Sequence, residues 1–168
     1  MPMVSHSPQE TLALATDLAA LLQPGDIILL QGDLGTGKTE FVRGLAHGLG
    51  LAPEQVSSPT FALIHEYPGN PTLIHVDLYR LTQVDPEMLM TLEDYWQQPV
   101  ITVIEWAERL QTERPPDCLE ITFRWLDPQT RQLQVQGYGP RGEHLAQAWQ
   151  QGQSSLTATE RKSEHRYG

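Results

Sequence analysis

The chain has 168 residues, a formal charge of −10 and a single cysteine. That length suits one domain with a proper core. The charge and the scarcity of lysine argue against a broad nucleic-acid-binding surface, though not against a protein partner that handles RNA. One cysteine excludes a disulfide framework and a cysteine-based zinc site.

Ser7-Pro8-Gln9-Glu10 reads as a helix start, with Ser7 as cap, Pro8 in the first turn and Glu10 three residues after the cap. Leu12, Leu14, Ala15, Leu18, Ala19 and Leu22 then form an apolar stripe, which Pro24-Gly25 ends. Thr11 lies in the first turn of this helix and reads on its own as a surface residue. Asp26-Ile27-Ile28-Leu29-Leu30 has the continuous apolar character of a buried strand.

Directly after it comes Gly32-Asp33-Leu34-Gly35-Thr36-Gly37-Lys38-Thr39, which meets every fixed position of the phosphate-binding pattern G-x-x-x-x-G-K-[ST]. Glu40 to Leu49 carries apolar residues at helical spacing (Phe41, Val42, Leu45, Leu49), so the motif stands between strand and helix as its chemistry requires. The glycines allow backbone N–H groups to wrap a phosphate. The helix start adds N–H groups and the positive end of its dipole. Lys38 is placed to bridge the β- and γ-phosphates, Thr39 to hold Mg²⁺ through its hydroxyl, and Glu40 to contribute through its backbone. Apart from Lys162 near the C-terminus, Lys38 is the only lysine.

Leu51 to Val56 reads as a loop, and Pro59 disfavours helix at Ser58. Ser58 and Thr60 lie in a loop able to approach a γ-phosphate as a switch segment, or else in a plain polar turn. Phe61 to Tyr67 and Thr72 to Asp77 read as the strands of a hairpin around Pro68-Gly69-Asn70-Pro71. The six histidines show no metal-ligand spacing, and His65 and His75 read as strand residues. Arg80 is a candidate partner for phosphate or for a strand-end acid, and Trp106 reads as core.

Asp85-Pro86-Glu87 opens a helix with Met88, Leu89, Leu92 and Tyr95 on one face. Val100 to Glu105 is a strand that ends in a carboxylate, and Trp106 to Leu110 leads into a short helix stopped by Pro115-Pro116. Leu119 to Trp125 and Gln132 to Tyr138 pair as antiparallel strands around Asp127-Pro128-Gln129-Thr130. From Gln151 the chain is polar and aperiodic, which predicts residues 1–150 as the domain and 151–168 as a disordered tail. The N-terminus lacks the charged and apolar regions of a signal peptide. No apolar run approaches the ~20 residues that span a bilayer, so a reducing, cytoplasmic setting is expected.

A phosphate-binding loop needs a further carboxylate near Mg²⁺, usually from the C-terminal end of a neighbouring strand. Asp77 and Glu105 both stand at such ends. One is expected to anchor the metal and the other to orient or deprotonate water, and spacing does not divide the roles.

Gly32 to Thr39, Ser58-Pro59-Thr60-Phe61, His75-Val76-Asp77-Leu78-Tyr79-Arg80-Leu81 and Ile104-Glu105-Trp106 occur in one order and spacing. In these the chain resembles the TsaE (YjeE) family, the small bacterial P-loop ATPases of tRNA threonylcarbamoyladenosine biosynthesis, over roughly residues 8 to 140. The resemblance implies an α/β P-loop NTPase-like domain, with a mixed, mainly parallel central sheet flanked by helices. It implies weak Mg²⁺-dependent ATP hydrolysis and two protein partners, TsaB and TsaD. TsaD carries the chemistry that installs the threonylcarbamoyl group on adenosine-37 of tRNAs reading ANN codons, and ATP turnover resets the complex. By the same resemblance Thr39 and Glu105 are the Mg²⁺ ligands, Gly35, Thr36, Gly37, Lys38, Thr39 and Glu40 hold the phosphates, and Thr11 reaches the nucleotide. Asp77 matches an aspartate needed for activity, Ser58 and Thr60 match the switch-like loop, and Trp106 packs beside the site.

Two rival readings are weaker. Guanine recognition by N-K-x-D has no counterpart, because the only asparagine is Asn70, followed by Pro71. A small-molecule kinase would need a lid or arginine-bearing segment over its acceptor. Between Asp77 and Val100 the only basic residue is Arg80. The negative surface predicts no tight binding of tRNA by the isolated chain.

Overall fold

The computed structural model describes residues 2–33, 35–52 and 63–166, with side chains through Ser154. The strands are β1 (Met3–Ser5), β2 (Ile27–Gly32), β3 (Ile64–Tyr67), β4 (Leu73–Asp77), β5 (Ile101–Glu105), β6 (Cys118–Trp125) and β7 (Arg131–Tyr138). The helices are α1 (Pro8–Ala19), α2 (Lys38–Gly48), α3 (Pro86–Trp96) and α4 (Gly139–Arg166), with a 3-10 stretch over Ala107–Glu113.

The strands form one sheet in the order β1-β7-β6-β2-β5-β4-β3. The pairings of β2 with β5 and β6, and of β4 with β5, are parallel. The outer pairings are antiparallel, so β7 and β3 run against the other five strands. This is the mixed, mainly parallel α/β sheet that the resemblance implies.

Strand β2 lies at the centre of this sheet and explains its own composition. Ile28 and Leu30 face a core formed with α1, α2 and α4, whereas Ile27 and Leu29 face a second core with Leu92 of α3 and Leu110 of the 3-10 stretch. A strand covered on both faces reads as continuously apolar. The caps of α1 and α3 follow the sequence: Ser7 Oγ accepts from Glu10 N–H at 3.1 Å, and Asp85 Oδ1 accepts from Met88 N–H at 2.8 Å.

Helix α4 is the main element not foreseen. It runs on through Arg166, across the stretch from Gln151 that its polar, aperiodic composition marks as a tail. Its start is pinned at two places. Asp117 accepts from Gly142 N–H at 2.8 Å, and Arg141 grips Asp26 with Nε–Oδ1 at 2.9 Å and Nη2–Oδ2 at 3.0 Å.

Beside that pair, at the end of β2 and β6 remote from the phosphate-binding motif, lies a cleft of about 270 Å³ lined in part by Trp96, Asp117 and Cys118. Cys118 itself is buried, and its thiol donates to Pro115 O at 3.5 Å. Burial pushes the thiol up to about 12. At pH 8 roughly one thiol in ten thousand is then a thiolate, the reactive form. Iodoacetamide at pH 8 should leave Cys118 intact in the folded protein and label it promptly in guanidinium. Native labelling at the rate of a free cysteine peptide would contradict this burial.

Candidate active site

The loop after β2 leads straight into α2, and two glycines explain how. Gly32 has φ +136°, and a Cβ there would meet Phe123 O at 2.5 Å. Gly37 caps α2 with φ +103°, in the left-handed region. Between them the Thr36 hydroxyl donates to Asp33 O at 2.7 Å, which tightens the loop. Phe41 N–H then donates to Gly37 O at 2.9 Å and closes the first turn of α2. The loop is therefore a backbone cradle at a helix N-terminus, where donors and dipole favour an anion.

Lys38 begins α2 and is buried. Its ammonium donates to Gly32 O and lies 3.6 Å above the centre of the Trp106 ring. Burial holds it below the ordinary lysine range, while Glu108, Glu105, Asp77 and Asp33 pull it back up. Trp106 thus touches the predicted phosphate-binding lysine rather than acting as core alone. It adopts φ +58°, and its ring also contacts Tyr79, with centroids 5.1 Å apart.

Strand register brings the two predicted carboxylates together. Asp77 of β4 pairs with Glu105 of β5, and both alternate onto the α2 face. Glu105 is only 3% exposed. Its Oε1 accepts from the Thr39 hydroxyl at 3.3 Å, and its Oε2 lies 2.6 Å from His75 Nε2. Asp77 Oδ1 accepts from Tyr79 N–H at 2.9 Å. Burial raises the Asp77 carboxyl above the usual carboxylate range, against that hydrogen bond and with help from the Glu105 charge.

Thr11 is buried behind the loop, its hydroxyl 2.7 Å from Ser5 Oγ, and a Cβ on Gly37 would lie 3.7 Å from Thr11 Cγ2. The Glu40 side chain pairs with Arg43 on the flank of α2, which leaves only its backbone to face the cradle. Arg80 is exposed. Leu34, Ser58 and Thr60 lie outside the described residues.

Two contributors escaped the sequence reading. His75 is fully buried against Glu105. Glu108 accepts from Gly32 N–H at 3.2 Å, so it holds the residue whose carbonyl Lys38 also binds. In the sequence His75 stood two residues before Asp77, on the same face of its strand, and that alternation was the available signal.

The donor set fits Mg²⁺. Among the described residues no group of three or more His, Cys, Asp or Glu is arranged to hold a metal. A hydroxyl and one carboxylate 3.3 Å apart beside a phosphate cradle is nevertheless what Mg²⁺ accepts, since it keeps waters and shares substrate phosphates.

Comparison with known proteins identifies the family. The family model for threonylcarbamoyl adenosine biosynthesis protein TsaE matches residues 5–133. The tRNA threonylcarbamoyladenosine biosynthesis protein TsaE of Treponema pallidum (strain Nichols) is 39% identical over 135 residues, which is 80% of this chain and 99% of that protein. The protein of the same name from Bacillus subtilis (strain 168) is 36% identical over 142 residues, covering 84% of this chain and 88% of its own. The crystal structure of Bacillus subtilis YdiB superposes with a TM-score of 0.76 at 30% identity, over 91% of this chain and 95% of that one. The chain belongs to the TsaE family.

Proposed function

We propose that this chain is a Mg²⁺-dependent ATPase of tRNA threonylcarbamoyladenosine biosynthesis. It works in the cytoplasm with TsaB and TsaD, and its ATP turnover resets their complex between rounds of threonylcarbamoyl transfer to adenosine-37 of tRNAs reading ANN codons. Family membership supports the pathway. The chemistry rests on one observation above all: Thr39 and Glu105 meet at 3.3 Å beside the glycine cradle that ends in Lys38.

In this reading the cradle from Gly35 to Glu40 binds the phosphates, and Lys38 neutralises β- and γ-phosphate charge. Thr39 and Glu105 hold Mg²⁺, which offsets the charge that builds on the phosphate oxygens during transfer. Asp77, with its carboxyl raised by burial, faces the same space and orients the attacking water or takes its proton. Lys38 lies on Trp106, so nucleotide that draws the ammonium away alters the indole's surroundings.

The test is ATP hydrolysis by the purified protein, alone and with TsaB and TsaD. Slow turnover alone, a rise with both partners, and loss of nucleotide affinity in Lys38→Ala are the expected results. Turnover that ignores the partners but responds to an added small acceptor would instead favour a kinase.

A further inference from the structure

We propose that His75 is a positioning residue for Mg²⁺ binding: it fixes the Glu105 carboxylate so that the oxygen facing Thr39 stays aimed at the metal. The inference rests on the reading of Thr39 and Glu105 as the Mg²⁺ pair.

The geometry divides one carboxylate between two partners. Oε2 is 2.6 Å from His75 Nε2, and Oε1 is 3.3 Å from Thr39 Oγ1. Glutamate has several rotatable bonds, so a carboxylate at a strand end sweeps a wide arc unless something stops it. The short contact to His75 stops it. A carboxylate only accepts hydrogen bonds, so Nε2 must be the nitrogen that donates.

The imidazole is fixed in turn. It is fully buried in β4, beside β5, and stacks on Tyr67 of β3 with ring centroids 6.4 Å apart and planes 27° from parallel. Its Nδ1 is buried and has no hydrogen-bond partner among the described residues. Among the described residues the ring's one directional polar contact is therefore the one to Glu105. A histidine kept merely for packing would not need its donor in that direction. Three strands, β3, β4 and β5, thus set the direction of one oxygen. Groups that hold a metal ligand in this way typically contribute 10- to 100-fold in metal affinity or activity.

The experiment compares wild type, His75→Leu and His75→Gln. Leucine fills the space without a donor, and glutamine restores an N–H at similar reach. ADP binding is measured by calorimetry across a Mg²⁺ series and in excess EDTA. His75→Leu should need roughly 10- to 100-fold more Mg²⁺ to tighten ADP binding, with binding in EDTA within about 2-fold of wild type. His75→Gln should recover most of the loss. A wild-type Mg²⁺ requirement in folded His75→Leu would overturn the proposal, and so would equal losses with and without Mg²⁺.

If His75→Leu does not fold, His75→Gln and His75→Asn carry the test, because they differ by one methylene in reach. The asparagine variant should need more Mg²⁺, and equal requirements would overturn the proposal. ADP binding by the wild type that ignores Mg²⁺ would instead remove the metal reading itself, an outcome visible before any His75 variant is compared.

Discussion

Glu105→Gln should lower Mg²⁺-dependent ATP turnover roughly 100- to 1,000-fold while the protein keeps its fold, the loss typical of removing one preorganised electrostatic contact from an active site. The substitution preserves length and volume. The amide oxygen can still accept from His75, and the amide nitrogen can still face Thr39, so neither partner of the native carboxylate is stranded. What is lost is the charge and the oxygen facing Thr39, which becomes an NH2 group that cannot ligate a cation. At 3% exposure little water reaches the position to replace that charge, so a Mg²⁺ ion held as proposed would lose an anionic ligand in a poorly screened site. Glu105→Ala should be at least as inactive but less informative, because it leaves the buried His75 without its partner, at a cost of about 1–3 kcal/mol in stability. Steady-state hydrolysis with TsaB and TsaD at saturating Mg²⁺ checks the prediction. A Glu105→Gln rate equal to wild type would remove Glu105 from the metal site.

How much of this site could be read from the chain alone depended on whether local backbone demands or distant contacts define each part. The cradle was legible because its chemistry constrains residue type directly: Gly32 and Gly37 adopt φ +136° and +103°, conformations that side chains other than glycine disfavour. Asp77 and Glu105 were legible as strand-end acids, because buried parallel strands are apolar until they reach the ligand edge. That they lie opposite each other is a matter of register between β4 and β5, and no local pattern encodes it. His75 and Glu108 were missed for the same reason. Their partners, Glu105 and Gly32, are 30 and 76 residues away. The order of the sheet was also hidden. Strand β1 has three residues and pairs with β7 from the far end of the domain. Helix α4 begins Gly-Pro-Arg-Gly, which reads as turn chemistry, yet Leu145, Ala146 and Trp149 were spaced for one helix face and all three are buried.

Trp149→Ala should cost about 3–5 kcal/mol, the range for emptying a large aromatic site in a core. Trp149 is 1% exposed and touches two other helices, α1 and α2. Its ring meets Phe41 of α2 edge-on, with centroids 5.8 Å apart at 68°. Phe41 meets Phe123 of β6 in the same manner at 5.6 Å and 81°. The indole N–H donates to Leu14 O of α1 at 3.1 Å. Alanine therefore leaves a cavity among α1, α2 and α4, and the Leu14 carbonyl keeps only its helical donor. Thermal melting should fall by roughly 6–20 °C for a chain of this size. Trp149→Phe keeps most of the ring and loses the hydrogen bond, so it should fall by much less. The lost contact is to Phe41 on the core face of α2, one turn after Lys38, whose own contacts are to Gly32 and Trp106, so the binding groups keep their partners in the molecules that remain folded. ADP with Mg²⁺ should then raise the melting temperature of Trp149→Ala about as much as that of wild type, because a ligand stabilises whichever folded state binds it. A Trp149→Ala protein that melts like wild type would mean that α4 is not part of the cooperative unit, and that the domain is complete without the helix that follows β7.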